Sequence, residues 1–172
     1  IKDCSDYQTL VQLTNLTGQN LNSYLFYSNQ QYYVNNLPIG NYIIKYILID
    51  DCQNTSFCEV NLTVIDIAPP ITVCDKNTKI SVDHLGKARL FATSLDDGSW
   101  DNCGILKYEI KRKHDTCGFQ LLWGPYADFC CLDIGKIQHV SLQVTDIHGL
   151  VNTCHVEVEV EDKLKPVITC PT

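Results

Sequence analysis

Methionine is absent from the 172 residues, and basic residues are few, with 13 Lys and Arg against 20 Asp and Glu. The formal net charge of −7 argues against a nucleic-acid partner, because a phosphate backbone requires a basic face. No apolar run approaches the roughly 18 residues that a membrane-spanning helix needs, so we expect no membrane insertion. A chain that starts with Ile1 and lacks Met is expected to be processed or to be a piece of a longer protein.

Motifs of enzymes and of zinc sites are also lacking. The sequence contains no Gly-x-Ser-x-Gly, no His-Glu-x-x-His and no phosphate-binding glycine loop, and its five His residues are scattered. It contains no Cys-x-x-Cys pair of a zinc ribbon. We therefore expect no enzyme activity and no catalytic residues, and calcium is the one cofactor that the sequence suggests.

Cysteine, by contrast, is abundant, with 10 residues in the chain. This many cysteines in a short chain are typical of a disulfide framework, which persists in oxidising surroundings. The alternative, buried free thiols in a cytosolic protein, accounts poorly for so many cysteines. We therefore expect disulfide bonds and an extracellular location.

A repeat with a period of 96 residues runs through the chain. Residues 50–74 align without a gap with residues 146–170. The identical pairs are Asp50 and Asp146, Cys58 and Cys154, Val60 and Val156, Val64 and Val160, Asp66 and Asp162, Pro70 and Pro166, and Cys74 and Cys170. Self-similarity at a fixed period indicates an array of repeated domains.

The repeat predicts the domain boundaries. Upstream of the aligned region, residues 37–50 parallel residues 133–146 with a one-residue slip. We therefore interpret 1–66 as the later part of one repeat, 67–165 as a complete repeat and 166–172 as the first strand of a following repeat.

Strand patterns dominate, and no window shows a sustained helical period. In 154–162, Val and Glu alternate strictly, which predicts a half-buried strand. The turn at 146–149 joins this strand to 139–146 as an antiparallel hairpin. Further strands are predicted at 79–83, 87–95, 105–113 and 119–126. About seven short strands per repeat predict an all-β fold of tandem immunoglobulin- or fibronectin-III-like β-sandwiches.

The linkers at 66–70 and 162–166 are short and contain proline. Proline stiffens a linker by restricting its backbone. We therefore expect successive domains to form a semi-rigid rod.

Four motifs follow one another along the complete repeat. They are DDGSWDNCGI at 96–105, FCCLDIG at 129–135, VSLQVTDIHGLVNTCHVEVEVED at 140–162 and PVITCP at 166–171. Together they resemble the hyalin-repeat (HYR)-like, immunoglobulin-like modules of giant cell-surface proteins of Bacteroidetes. The resemblance implies export, often by type IX secretion, and a role in adhesion, gliding or extracellular filaments.

An immunoglobulin-like topology predicts how the cysteines pair. The predicted disulfides are Cys74–Cys154, Cys103–Cys131, Cys117–Cys130 and Cys4–Cys52. Cys58 and Cys170 remain, and we expect each to pair outside this segment, because Cys58 takes the place of Cys154 and Cys170 that of Cys74 in the repeat. A different connectivity with the same stabilising role stays open.

Acidic residues in and near the loop at 96–102 suggest a calcium site. Calcium takes several oxygen ligands, and a glycine in the loop permits the tight turn that this ligation needs. The candidate ligands are Asp96, Asp97, Asp101, Asp66 and Asp146. The alternative is that these aspartates only form turns and keep the loop solvated.

Two surface features suggest a glycan partner. The basic run at 107–115 suits an acidic glycan, and the aromatic stretch at 24–34, with Trp100 and Trp123 elsewhere, suits stacking on sugar rings. The alternatives are an edge strand protected by charge and aromatic residues that pair across strands. Candidate glycosylation sites are Asn15, Asn54, Asn61 and Thr116.

These observations predict a structural segment of a large extracellular adhesin or filament on the cell surface, whose partners are neighbouring copies of the same repeat. One alternative is a carbohydrate-binding accessory module of a secreted enzyme. Another is a small subunit that self-assembles by completing its partial domain with strands from a neighbour.

Overall fold

The computed structural model describes residues 6–119, 121–166 and 168. The strands in chain order are β1 Tyr7–Asn15, β2 Leu25–Ser28, β3 Gln31–Val34, β4 Gly40–Asp50, β5 Thr55–Val64, β6 Asn77–Ser81, β7 Lys87–Phe91, β8 Ile105–Arg112, β9 Tyr126–Cys130, β10 Ile137–Asp146 and β11 Val151–Glu161. Three single-turn 3-10 helices are Asn22–Tyr24, Ala92–Ser94 and Cys131–Asp133. The predicted all-β fold is confirmed.

The chain divides into two compact units, Ile1–Asp66 and Ile67–Thr172. The interpretation of these units as successive copies of one repeat stays a prediction. So does the assignment of 166–172 to a further copy, since residues 167 and 169–172 lie outside the described residues.

The second unit has an immunoglobulin-like strand arrangement. Its larger sheet has the order β6-β11-β10-β8, and β7 pairs with β9. The predicted hairpin is present, with Val140 of β10 opposite Val156 of β11. Alternate residues of each strand face inward, so that the valines of 154–162 enter the core while the glutamates do not. The buried core comprises Val82, Leu90, Ala92, Leu95, Ile110, Ala127, Phe129, Val140, Leu142, Val144, Val156, Val158 and Val160.

The strand predicted at 119–126 is wrong. Residues 121–125 form a loop, and β9 begins only at Tyr126. Gly124 forms an isolated bridge with Ile110 of β8, and Pro125 prevents its extension because proline lacks the N–H that a ladder needs. The described residues of the second unit hold six strands, where the sequence predicts about seven.

The first unit has a sheet of order β1-β4-β5 and a separate β2–β3 hairpin. Asn29 and Gln30 have positive φ angles of 51° and 63° in the two-residue hairpin loop. This backbone twist suits a tight hairpin, and asparagine tolerates it better than most residues. Aromatic side chains of 24–34 pair across the hairpin: the rings of Phe26 and Tyr33 stack with centroids 5.6 Å apart, and the tilted rings of Tyr27 and Tyr32 have centroids 4.8 Å apart.

The two units share a strand register at a separation of 96 residues. In the first unit, Ile44 pairs with Val60 and Tyr46 pairs with Cys58. In the second unit, Val140 pairs with Val156 and Leu142 pairs with Cys154. The strands β1, β4 and β5 therefore correspond to β8, β10 and β11. Among the described residues of the first unit, no strand takes the place that β6 has beside β11.

Candidate functional site

Two disulfides hold the second unit together. Cys74 precedes β6 and is bonded to Cys154 on β11, across a sequence separation of 80 residues. Cys117 follows β8 and is bonded to Cys130 at the end of β9, across 13 residues. Both pairs are among those predicted from the sequence.

The predicted Cys103–Cys131 disulfide is wrong. Cys103 lies just before β8, whose first residue pairs with Asp146. The Sγ atom of Cys131 lies 3.5 Å from the carbonyl oxygen of Gly86, in the turn after β6. Strand β11 begins at the Asp146 turn and β6 runs parallel to it, so the turn after β6 lies at the far end of the sheet. The two cysteines are therefore at opposite ends of the sandwich, beyond the reach of one disulfide.

The remaining four cysteines are Cys4, Cys52, Cys58 and Cys170. Cys52 is disulfide-bonded, but its predicted partner Cys4 lies outside the described residues, as does Cys170. Cys58 carries a free, exposed thiol on β5. The pairing of Cys4 with Cys52 and the external pairing of Cys58 and Cys170 stay predictions.

A buried ion pair that the sequence did not suggest supports the end of β9. Arg112 Nη2 donates to Asp133 Oδ1 at 2.8 Å, and the two side chains are 4% and 0% exposed. The backbone N–H of Cys130 donates to the other Asp133 oxygen at 3.1 Å. Arg112 Nη1 donates to the carbonyl of Asp128 at 2.8 Å, and its guanidinium lies 4.5 Å from the Phe129 ring centroid. These contacts compensate both buried charges.

The basic run at 107–115 is consequently not one exposed surface. Arg112 follows Ile110 by two residues on β8, and both side chains are buried. Residues i and i+2 of a strand share a face, so the sequence alone could have predicted that Arg112 lies on the same inner face as Ile110. The neighbouring Lys113 is exposed.

The acidic loops use part of each carboxylate to form turns. Asp96 accepts one backbone N–H of its own turn, at 3.0 Å. Asp101 accepts two such bonds through Oδ2, at 2.7 and 3.0 Å. Asp146 accepts two through Oδ1, at 2.8 and 2.9 Å. Asp96, Asp101 and Asp146 therefore each stabilise a turn.

Asp146 also has an oxygen that the turn does not use. The side chain is fully buried, and its Oδ2 has no hydrogen-bond partner among the described residues. A carboxylate oxygen of Asp101 lies within 4.8 Å of one of Asp146. These two residues are the part of the second unit that could hold a cation. Asp97 is exposed, and Asp66 is the last residue of the first unit, so their contribution stays a prediction.

The surroundings of two side chains near the ends of β8, Tyr108 and Asp115, shift their pKa values. Burial, and then the Asp96 carboxylate, raise the pKa of the Tyr108 hydroxyl, which therefore stays protonated and available to this carboxylate. The backbone N–H of Cys117, at 2.9 Å, lowers the pKa of the Asp115 carboxyl. Both effects reinforce the loops that flank β8.

The candidate glycosylation residues lie in different settings. Asn15 accepts backbone N–H groups of the turn after β1, and the Asn54 amide donates to a neighbouring aspartate. Asn61 is exposed on β5. The hydroxyl of Thr116 donates to Asp133, so modification of Thr116 would remove this contact of the buried ion pair.

An open groove of about 590 Å³ lies on the outer face of the larger sheet. The side chains that line it include Lys111, Trp123, His139, Ser141 and His155. The Lys111 ammonium lies 5.9 Å from the Trp123 ring centroid, and Ser141 Oγ lies 2.9 Å from His155 Nδ1. The fold thus brings one of the predicted sugar-stacking residues close to part of the basic run.

The disulfides define the type of domain. Bonds of this kind form and persist in oxidising compartments. With its immunoglobulin-like strand order, the second unit is a secreted or extracellular type of domain. No helix in the described ranges has the length and apolar character to cross a bilayer.

No protein-family model and no curated protein matches the chain. The chain is similar to the PKD domain from KIAA 1837 protein, with 18% identity, a TM-score of 0.35 and coverage of 62% of this chain and 99% of that one. It is similar to Clostridium thermocellum CbhA fibronectin(III)-like modules, with 12% identity, a TM-score of 0.37 and coverage of 94% and 83%. It is also similar to DIP-gamma IG1+IG2, with 9% identity, a TM-score of 0.37 and coverage of 93% and 86%. The fold assignment rests on the strand order and disulfides described above.

Proposed function

We propose that the chain is a structural segment of a large extracellular adhesin or filament on the cell surface, serving adhesion, gliding or prey capture without enzyme activity. Its modules act in series as a disulfide-stabilised rod, with further copies of the repeat as partners. The observation that carries this proposal is the position of the Cys74–Cys154 disulfide.

This disulfide provides a covalent path for mechanical load. A pull that enters before Cys74 crosses to Cys154 through the bond and leaves along β11, which is already extended. The residues between the two cysteines lie outside this path and carry no load.

Single-molecule force spectroscopy tests the load path. In the oxidised native chain, the residues between Cys74 and Cys154 cannot extend when the second unit unfolds. Only the residues outside this disulfide loop should add to the length of the pulled chain. The double variant Cys74→Ala/Cys154→Ala should release the 80-residue separation, which is about 280 Å at about 3.5 Å per residue. The gain in length is read directly from the force–extension curve.

A matched variant serves as the control. Cys117→Ala/Cys130→Ala removes a disulfide that lies wholly inside the larger loop, so its extension should equal that of the native chain. A native chain that lengthens as much as the Cys74/Cys154 variant would contradict the mechanical role. Antibody labelling of intact source cells tests the surface location, and labelling only after permeabilisation would contradict it.

We further propose that calcium binds beside Asp146 and stabilises the second unit. Extracellular modules bind calcium with dissociation constants of about 10⁻⁴–10⁻³ M, so 10 mM calcium should add about 1.4–2.7 kcal/mol to the free energy of unfolding. Denaturant unfolding with and without calcium, followed by tryptophan fluorescence, measures this increase.

Asp146→Asn distinguishes a calcium ligand from a turn residue. The amide oxygen of Asn can still accept the two turn hydrogen bonds, while the charge that would bind the ion is lost. We expect this variant to fold but to lose the calcium effect, and Asp75→Asn, an exposed site with the same charge change, to retain it. An equal calcium response in both variants would contradict the site.

The groove on the outer sheet face favours a second candidate function, a carbohydrate-binding module that accompanies a secreted enzyme. A tryptophan beside a lysine suits stacking on a sugar ring and pairing with an acidic substituent. Glycan binding that is lost in Trp123→Ala, together with a catalytic domain in the parent chain, would favour this function over the structural one.

A further inference from the structure

The groove on the outer face of the larger sheet is a basic site in an acidic protein. Lys111, Lys113, His139 and His155 line it, and its lining residues in the described part of the chain include no Asp or Glu. The whole chain, in contrast, has a formal net charge of −7. All the side chains that line the groove belong to the second unit. The groove therefore reverses the charge of the protein locally.

The two groove lysines lack the carboxylate partner that their neighbour on β8 has. Lys107 Nζ lies 2.9 Å from a carboxylate oxygen of Glu109, so these two charges largely cancel. Among the residues that the structure describes, neither Lys111 nor Lys113 has a carboxylate within ion-pair distance. Their positive charges are therefore available to an anionic ligand.

The strand register places the polar groups of the groove side by side. Ser141 of β10 lies opposite Lys111 of β8 and also opposite His155 of β11. Ser141 Oγ lies 2.9 Å from His155 Nδ1. Neighbouring strands of a sheet are about 4.8 Å apart, so an ammonium, a hydroxyl and an imidazole follow one another at short intervals. The sheet fixes the backbone of this row before any ligand binds, which lowers the entropic cost of binding.

Trp123 adds an aromatic surface to the groove. It is 37% exposed, and its ring centroid lies 5.9 Å from the Lys111 ammonium. The loop that holds it is tied to β8, because Ile110 and Gly124 exchange backbone hydrogen bonds of 2.7 and 3.2 Å. An exposed indole packs on the apolar face of a sugar ring. A cation beside the indole pairs with an anionic substituent of the same sugar.

Acidic residues limit the groove on the side towards β6. Glu157 and Glu159 of β11 line the neighbouring depression on the same outer face. Glu159 lies 2.6 Å from the ammonium of Lys79, which offsets only part of this negative charge. An anionic chain is repelled from this half of the face. It therefore has to lie along β8, over Lys111 and Lys113.

We propose that the groove binds an anionic polysaccharide, in which Trp123 stacks on a sugar ring and Lys111 and Lys113 pair with carboxylate or sulfate groups. Ser141 and His155 supply hydrogen-bonding groups for the sugar hydroxyls. Carboxylated and sulfated polysaccharides share this chemistry, since both are chains of sugar rings with regular negative charge. The inference rests on the second candidate function, in which the groove is a carbohydrate site, and it names the class of sugar.

Isothermal titration calorimetry of the full 172-residue chain tests the ligand class. The probes are dextran sulfate, polygalacturonate as the carboxylated chain, and unmodified dextran as the neutral match of dextran sulfate. We expect one or both anionic probes to bind and dextran to give no measurable heat. Binding should weaken when the salt concentration rises from about 50 to about 300 mM, because salt screens the ion pairs. The anionic probe that binds more tightly identifies the charged group that the groove prefers.

Variants of the groove test which residues bind. Lys111→Gln/Lys113→Gln should weaken binding of the anionic probe about tenfold. Trp123→Ala should also weaken it about tenfold, and Trp123→Phe, which keeps an aromatic ring, should retain most of the affinity.

Lys79→Gln/Lys87→Gln is the matched control for the double lysine variant. Both residues are exposed and lie outside the groove, and the change in net charge is the same. Its affinity should change less than about twofold. Equal thermal unfolding midpoints of the two double variants show that both fold.

Four results would overturn the proposal. Equal weakening in both double lysine variants would mean that only net charge matters, and equal affinity for a single-stranded oligonucleotide would mean a general polyanion surface. Dextran binding that Trp123→Ala removes would contradict the anionic preference but leave the carbohydrate-binding function standing. Absence of binding to all three polysaccharides would contradict both.

Discussion

Replacing both Cys74 and Cys154 by alanine is expected to lower the free energy of unfolding of the second unit by about 4.5 kcal/mol. The bond closes a separation of 80 residues, and a long closed loop removes much conformational entropy from the unfolded chain. It also anchors the segment before β6, which covers one edge of the core. This loss compares with a total stability of about 5–15 kcal/mol for a typical domain.

Guanidinium unfolding of the full chain measures this loss. Trp100 and Trp123 both belong to the second unit, so tryptophan fluorescence follows that unit. The control Cys117→Ala/Cys130→Ala opens a separation of only 13 residues and should cost about 3 kcal/mol. If the shorter loop costs more than the longer one, loop entropy is not the dominant contribution.

Arg112→Ala is expected to destabilise the second unit by about 3–5 kcal/mol. The substitution leaves the Asp133 carboxylate buried without its counter-charge, and it removes the guanidinium from the Phe129 ring. The carbonyl of Asp128 also loses its donor. An uncompensated buried charge is among the most costly single changes a core can undergo.

The neighbouring Lys113→Ala is the matched control for Arg112→Ala. Lys113 is exposed, and its removal should change the free energy of unfolding by less than about 0.5 kcal/mol. Thermal or denaturant unfolding of the two variants under the same conditions makes the comparison. Equal stabilities would show that Arg112 is solvated in solution and that the ion pair contributes little.

Much of the fold could be predicted because strand periodicity is a local property. The alternation of Val and Glu in 154–162 placed three valines in the core, and the turn at 146–149 set the β10–β11 hairpin. The boundary of β9 could not be predicted in the same way. The apolar run at 119–126 resembles a strand in composition, but Pro125 lacks the N–H that would extend the bridge between Gly124 and Ile110 into a ladder.

The disulfides also divide into one that the sequence could predict and one that it could not. Cys74–Cys154 follows from the topology of an immunoglobulin-like sandwich, in which the first strand lies beside the last. The Cys103–Cys131 prediction was wrong because it assumed that the chain after β8 returns beside its start. The turn that holds Cys131 instead lies next to Gly86, at the far end of the sheet.

The sequence by itself determined the strand content, the β10–β11 hairpin and two of the disulfides, Cys74–Cys154 and Cys117–Cys130. These features depend on local period and on spacing along the chain. Only the tertiary structure decided that Arg112 and Asp133 meet in the core, that one Asp146 oxygen has no hydrogen-bond partner among the described residues, and that the Cys58 thiol is exposed. Each of these depends on which distant strands cover a side chain, and burial is set by the whole packing arrangement.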